Sequence, residues 1–241
     1  MMKNLLDVHT HTISSGHAYS TLAENIASAK VKGLKYYGMS DHAPSIPGGP
    51  HIYHFSNLRA IPTMIDGVRV LRGAELNILN DKGEVDIPDS VLEEMDYAIA
   101  SMHGPCIPEG DEEYYTNAYL NVMKNPYVRI IGHPDDGRFP LNHEKFVEGL
   151  IENHIIMEVN NASISPISFR PGARENYHSL LKLCAQKRVP IIINTDAHIC
   201  YRIGDIDLAL KMLEEENFPK ELVLNWNEEL IEEYILTPRK K

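Results

Sequence analysis

Cysteine is scarce in this chain. Cys106, Cys184 and Cys200 are the only three in 241 residues, and their spacing matches neither a CxxC pair nor a zinc ribbon. A disulfide scaffold is excluded, and a reduced, cytoplasmic compartment is expected. Positive charge is also short: 23 Lys and Arg stand against 34 Asp and Glu, a formal net charge of −11. Such a surface repels nucleic acid and anionic membrane, so neither is expected as a partner. No apolar run approaches the roughly 18 residues of a membrane span, and the N-terminal "MMKNLLDVHTHT" is too short in apolar residues for a signal peptide. Without secretion, the glycosylation sequon at 161–163 is without consequence. Three further absences narrow the chemistry: there is no GxSxG nucleophile motif, no P-loop and no GxGxxG. No internal repeat or linker divides the chain, so residues 1–241 form one domain. The proline- and glycine-rich stretch 43–55 is a loop, and the basic tail 239–241 is a solvated end.

What is present is regular alternation. Short β-branched runs predict strands at "LLDVHT", "KYYGMSD", "VRVLRGAEL", "DYAIASMH", "VRIIGHP", "HIIMEVNN" and "PIIINTDAH". Helical segments lie between and after them: "STLAENIASAKVKG", "SVLEEM", "EYYTNAYLNVMKN", "EKFVEGLIENH", "ENYHSLLKLCAQKR" and "IDLALKMLEEENF". In the first, Ser20 or Thr21 is the N-cap and Gly33 the C-terminal stop. The alternation implies βαβ units, a mainly parallel sheet and, with seven units, an α/β fold closed into a distorted barrel.

The unusual residues gather at one place, the ends of six of the seven strands. The first strand ends in His9 and His11, the second in Asp41 and His42, and the third in Glu75. The fourth ends in His103, the fifth in His133, and the seventh in Asp196 and His198. Strands alternate faces with period two, so His9 and His11 share a face, as do Asp196 and His198. In parallel α/β folds the C-terminal strand ends build the active site. Imidazoles and carboxylates brought together inside a fold are paired or hold metal. So many donors exceed one tetrahedral site and suit two or three ions. Imidazole-rich ligation without thiolate favours Zn, Mn or Fe over Mg or Ca.

Six motifs, "DVHTHT" at 7–12, "SDHA" at 40–43, "GAELN" at 73–77, "ASMHG" at 100–104, "IIGHPD" at 130–135 and "NTDAH" at 194–198, resemble those of the PHP (polymerase and histidinol phosphatase) family, in order and in spacing. The resemblance spans nearly the whole chain and is strongest to the small stand-alone phosphatases of the family. It implies a distorted (β/α)7 barrel with a trinuclear site of divalent transition metals, Zn first, Mn or Fe next. His9, His11, Glu75 and Asp196 would hold one ion, Glu75, His103 and His133 a second with Glu75 bridging, and His17, His42 and His198 a third. The activity implied is hydrolysis of a small phosphomonoester by water that the metals activate.

Two other residues enter the reading. Asp41 is expected to orient an imidazole ligand or to cap its strand. Arg170 follows the sixth strand and is expected to clamp substrate phosphate; Arg138 and Arg174 are weaker versions of the same idea. His178 is expected to pack inside its helix, His51 and His54 to be exposed in the loop, and His143 and His154 to flank helices. Two rival functions remain: an amidohydrolase, which also begins with HxH and ends with a strand aspartate, and a nonenzymatic metal-binding module. Substrate identity and oligomeric state are open at this level.

Overall fold

The computed structural model describes residues 2–238; the basic tail 239–241 lies outside the described residues. In chain order the main elements are β1 (Leu6–Asp7), α1 (Leu22–Val31), β2 (Tyr36–Met39), α2 (Ile52–Ser56), β3 (Met64–Ile65), β4 (Val68–Asn77), α3 (Asp89–Leu92) and β5 (Tyr97–Ser101). They continue with α4 (Glu112–Val122), β6 (Val128–Ile131), α5 (His143–Asn153), β7 (Ile156–Asn160), α6 (Ala173–Lys187), β8 (Ile191–Asn194), α7 (Asp207–Glu215) and α8 (Glu228–Ile231).

Seven strands run parallel in the order β1-β2-β4-β5-β6-β7-β8, and short β3 pairs antiparallel with the start of β4. The sheet nearly closes into a barrel. At the seam between β1 and β8, side chains replace most of the ladder. Val8 N donates to Asn194 Oδ1 at 3.0 Å, and Thr195 donates to Asp7 through N at 3.2 Å and Oγ1 at 2.6 Å. Above them Thr10 bridges Ala197 in parallel register, and His11 N donates to Ala197 O at 2.9 Å.

Two apolar layers hold this architecture. Outside the barrel, the helices pack on the sheet. The helix α5 shows why such a segment forms: Asn142 caps it by accepting from Lys145 N, His154 ends it in a left-handed turn, and Phe146, Val147 and Leu150 bury one face. Thr21 and Glu24 make a reciprocal capping box on α1, so Thr21 and not Ser20 is the cap. Inside the barrel, Leu6, Tyr97, Ile99, Ile130, Ile156 and Ile192 form a second core, sealed at its lower end by Leu224, Ile231 and Ile235 from the C-terminal segment. Tyr97 lies across this interior and donates to Val8 O at 2.6 Å. A Cβ at Gly38 or Gly73 would stand 2.3 or 2.5 Å from Tyr97, so both strands need glycine there.

The upper end of the barrel carries no such plug, and the polar strand ends converge on it. β3, α2 and the C-terminal seal are additions to the expected pattern. Among the described residues no helix is long and apolar enough to cross a membrane.

Candidate metal centre

The strand β1 ends at Asp7, and the chain runs on extended along β8 to deliver His9 and His11 side by side, with ring centroids 5.3 Å apart. Glu75, near the end of the longest strand, stands at the middle of the site. Its Oε1 lies 3.2 Å from His9 Nε2, 3.4 Å from His103 Nε2 and 2.9 Å from His133 Nε2. Its Oε2 lies 2.6 Å from His42 Nδ1 and 3.6 Å from His11 Nε2. Asp196 Oδ1 faces His11 Nε2 at 3.2 Å and His9 Nε2 at 3.6 Å. His17 and His198 meet at the rim, Nε2 to Nε2, at 3.0 Å. The barrel thus brings all nine sequence-derived donors to one end.

These donors do not satisfy one another. His9 Nε2, His11 Nε2, His42 Nδ1, Glu75 Oε2 and Asp196 Oδ1 are buried and have no hydrogen-bond partner among the described residues. Buried polar atoms left in this way are costly. Two atoms bound to one ion at about 2 Å each stand at most about 4 Å apart, and the separations above match. Three groups of donors are close enough to hold an ion: His9, His11 and Asp196; His42, Glu75 and His103; and His11, His42 and His198. The residues fit divalent metal. His133 and His17 fall outside these groups, while His11 and His42 each serve two.

Hydrogen bonds on the far side of the rings settle which nitrogen faces inward. Ser15 Oγ donates to Asp41 Oδ1 at 2.7 Å, so it accepts from His11 Nδ1 at 3.0 Å, and the His11 Nε2 lone pair points to the centre. Glu158 Oε1 accepts from His9 Nδ1 at 2.7 Å, and Asn77 Oδ1 accepts from His103 Nδ1 at 2.7 Å, with the same result. His198 Nδ1 is held by the Asp196 carbonyl at 2.9 Å. Such partners orient metal-binding imidazoles and raise their basicity.

The electrostatics point the same way. Burial works against the Glu75 carboxylate, but His9, His103 and His42 outweigh it and hold its pKa well below the usual range. Asp196 is held down likewise by His9, His11 and Arg170 against burial. Burial alone would depress His9, yet Glu158, Glu75 and Asp196 raise it well above its ordinary value, so these carboxylates draw a positive charge to this place, a proton on His9 or a metal ion in its stead. Burial and the neighbouring His42 and His198 push His11 down to about 3, and burial pushes His103 to about 4, so both stay neutral as ligands must. Three buried carboxylates, Glu75, Glu158 and Asp196, face one buried guanidinium, Arg170. The centre is short of cations. Two of its residues, His133 and Asp196, also take positive φ of 27° and 54°. Non-glycine residues held there are strained, and such strain clusters at functional sites.

Several partners were not foreseen from the sequence. Glu158 and Asn160 lie on the sixth barrel strand, the one without an assigned donor. Their i, i+2 spacing inside "MEVN" was the available signal. Asp41 does not serve the imidazole beside it: its bonds go to Thr12 N and Oγ1, to Ser15, and to His54 Nε2 at 3.1 Å. His54 is therefore not simply exposed, but ties the 43–57 loop to the site. His51 caps α2. His178 points outward and pairs with Glu216, while its neighbour Tyr177 is the buried residue. Arg170 is not a surface residue: it is buried, with Nη2 3.0 Å from Asp196 Oδ2 and Nη1 3.0 Å from Ser163 Oγ, and it lines the cleft above the centre. Arg138 lines that cleft too, paired with Asp136, whereas Arg174 pairs with Glu215 at the surface.

No family model matches the chain. A protein named probable phosphatase from Clostridium novyi is 43% identical over 234 residues, 97% of this chain and 95% of that one. Another of the same name from Caldanaerobacter subterraneus subsp. tengcongensis is 41% identical over 100% of this chain and 94% of its own. Among solved structures, histidinol phosphate phosphatase from Lactococcus lactis, complexed with zinc, L-histidinol and phosphate, shares the fold. Its TM-score is 0.60 at 17% identity, covering 91% of this chain and 95% of that one. A histidinol phosphatase described as putative, from Listeria monocytogenes, gives 0.57 at 18% identity, over 83% and 97%. With the barrel, the donor cluster and full-length relatives in agreement, the chain belongs to the PHP (polymerase and histidinol phosphatase) family, among its phosphatases.

Proposed function

We propose that this protein hydrolyses small phosphomonoesters at a centre of three divalent ions, zinc first by the chemistry of its donors. The observation that carries the reading is the set of five buried donor atoms that point at one another without hydrogen bonds. His9, His11, Glu75 and Asp196 would hold one ion, Glu75 with His103 and His133 a second, and His17, His42 and His198 a third. The sharing of His11 and His42 between donor groups supports ions set close together. When bound, such ions bring a water's pKa near neutrality and neutralise phosphate oxygens.

The chain's own groups do the rest. Glu158, Ser15 and Asn77 hold three imidazoles in the tautomer that presents Nε2 to the centre. Arg170 places a fixed positive charge beside the cleft, where it would attract a phosphate group. The amidohydrolase reading is disfavoured because Glu75 stands where that chemistry commonly uses a bridging carboxylated lysine. A purely metal-binding module is disfavoured because the donor set is complete and opens on a cleft of about 590 Å³.

The test is to purify the protein gently, measure its metals, and assay phosphomonoester and amide panels before and after chelation. The reading expects two to three equivalents of transition metal. It also expects phosphatase activity at neutral to alkaline pH that chelation abolishes and metal restores. Acid should strip the ions, because protons compete for the imidazoles. Full activity in protein shown to be metal-free would overturn it.

A further inference from the structure

We propose that Phe169 is a specificity-determining residue whose ring receives a planar, apolar leaving group, so that this site selects phosphomonoesters of aryl or heteroaryl alcohols. The proposal rests on the phosphatase reading above and deepens it.

The cleft has about 590 Å³, the range of drug-sized ligands and far more than a phosphate needs. Its floor carries the donors His42, His103, Asp196 and His198. The apolar residues Ile46, Pro105, Ile167, Phe169, Ile199 and Leu208 also line it, interspersed with polar ones such as Arg138, Arg202 and Asp205. A phosphate held by ions on these donors would have its leaving group inside a cleft that also offers apolar side chains.

Among these, Phe169 is built into place. It is 71% exposed, and Ile167 beside it is 91% exposed. A phenyl ring standing so far into water loses free energy that a flat apolar partner would restore. This ring is also oriented. The Arg138 guanidinium lies 5.1 Å from its centroid and that of Arg170 lies 5.2 Å away, both at cation–π distance. Each guanidinium is anchored in turn. The Arg138 guanidinium donates to Asp136 through Nε, at 2.9 Å to Oδ1 and 3.1 Å to Oδ2, and through Nη2, at 2.5 Å to Oδ2. Arg170 Nη2 bonds Asp196 Oδ2 at 3.0 Å, and Asp196 Oδ1 faces the metal-holding atoms. The chain Phe169, Arg170, Asp196 thus sets an aromatic ring at a defined place relative to the reacting centre.

The experiment separates recognition from turnover. Metal-loaded wild type, Phe169→Ala and Phe169→Trp are titrated with naphthylmethylphosphonate and with methylphosphonate, neither of which can be hydrolysed. The same proteins are assayed on naphthyl phosphate and glycerol phosphate, with metal content and melting temperature measured for each. Wild type should bind the aryl phosphonate at least about tenfold more tightly than the methyl compound, a gap of the size aromatic contacts supply. Phe169→Ala should abolish that preference and raise KM for naphthyl phosphate with kcat little changed. It should leave glycerol phosphate hydrolysis and metal content as in wild type. Phe169→Trp should retain the preference. No aryl preference in wild type, or equal loss for both phosphonates in Phe169→Ala, would overturn the proposal; the second result would mean that Phe169 acts only through Arg170. Failure of metal-loaded wild type to turn over either ester would count against the phosphatase reading alone, and the phosphonate affinities would still decide the role of Phe169.

Discussion

Glu158 Oε1 stands 2.7 Å from His9 Nδ1, and neither side chain reaches solvent. The same carboxylate accepts from Asn194 Nδ2 at 3.0 Å, His133 N at 2.9 Å and Asn160 Nδ2 at 3.1 Å. One buried group thus joins residues of the first, fifth, sixth and seventh barrel strands and sets the tautomer of a metal-facing imidazole. Glu158→Gln keeps the size but removes the charge and turns an NH2 toward existing donors. Metal affinity should fall about 10- to 100-fold, the usual cost of losing such a partner. Competition with a chromophoric chelator measures it, and unaltered affinity would show that His9 needs no orienting group.

Glu75→Gln probes the centre itself. Both Glu75 oxygens face imidazole nitrogens, on two sides of the site. An amide cannot bridge two cations, which would then repel each other. At least one metal equivalent should be lost and kcat should fall at least about 100-fold, the scale of removing a key electrostatic group. The variant should still fold, but its metal-free form should melt below metal-free wild type, because the buried carboxylate is stabilised by His9, His103 and His42. Full metal with near-normal turnover would remove Glu75 from its bridging place.

Arg170→Ala separates substrate binding from metal binding. Arg170 takes Asp196 Oδ2, while Oδ1 is the oxygen left without a partner. Metal content should therefore hold. KM for phosphoesters should rise by about tenfold or more, as loss of a charge-assisted hydrogen bond implies. Steady-state kinetics beside elemental analysis decide; loss of metal with unchanged KM would make Arg170 a support for Asp196 only.

Asp7→Ala tests the barrel seam. Asp7 is buried and accepts from Thr195 N, Thr195 Oγ1 and Gly204 N, the last at 2.9 Å. Alanine leaves these donors unpaired, and unfolding free energy should drop by about 1–3 kcal/mol for each that finds no water. Denaturant unfolding of the metal-free protein gives the value. A change within error would mean that the backbone ladder alone closes the seam.

Much of this protein was legible in one dimension. Short β-branched runs separated by helical segments specify a parallel α/β barrel, because each strand and helix is signalled by its own local residues. Eight of the nine candidate donors could be read at or just after strand ends, whereas His17, in the loop before α1, enters only through the family resemblance. What the sequence could not state is which group stands behind each donor. Glu158 meets His9 across 149 residues and His17 meets His198 across 181, and only barrel closure brings them together. The tautomer of His11, set through Ser15 by Asp41, depends on three side chains from two strand ends. Arg170 reads in sequence as a loop arginine, but the fold buries it against Asp196, 26 residues further on. His54 likewise reads as a loop residue until the loop folds back onto Asp41. Periodicity assigns a face to a residue; only the closed barrel assigns it a neighbour, because side-chain hydrogen bonds and ring contacts act over a few ångströms and depend on packing rather than on chain order.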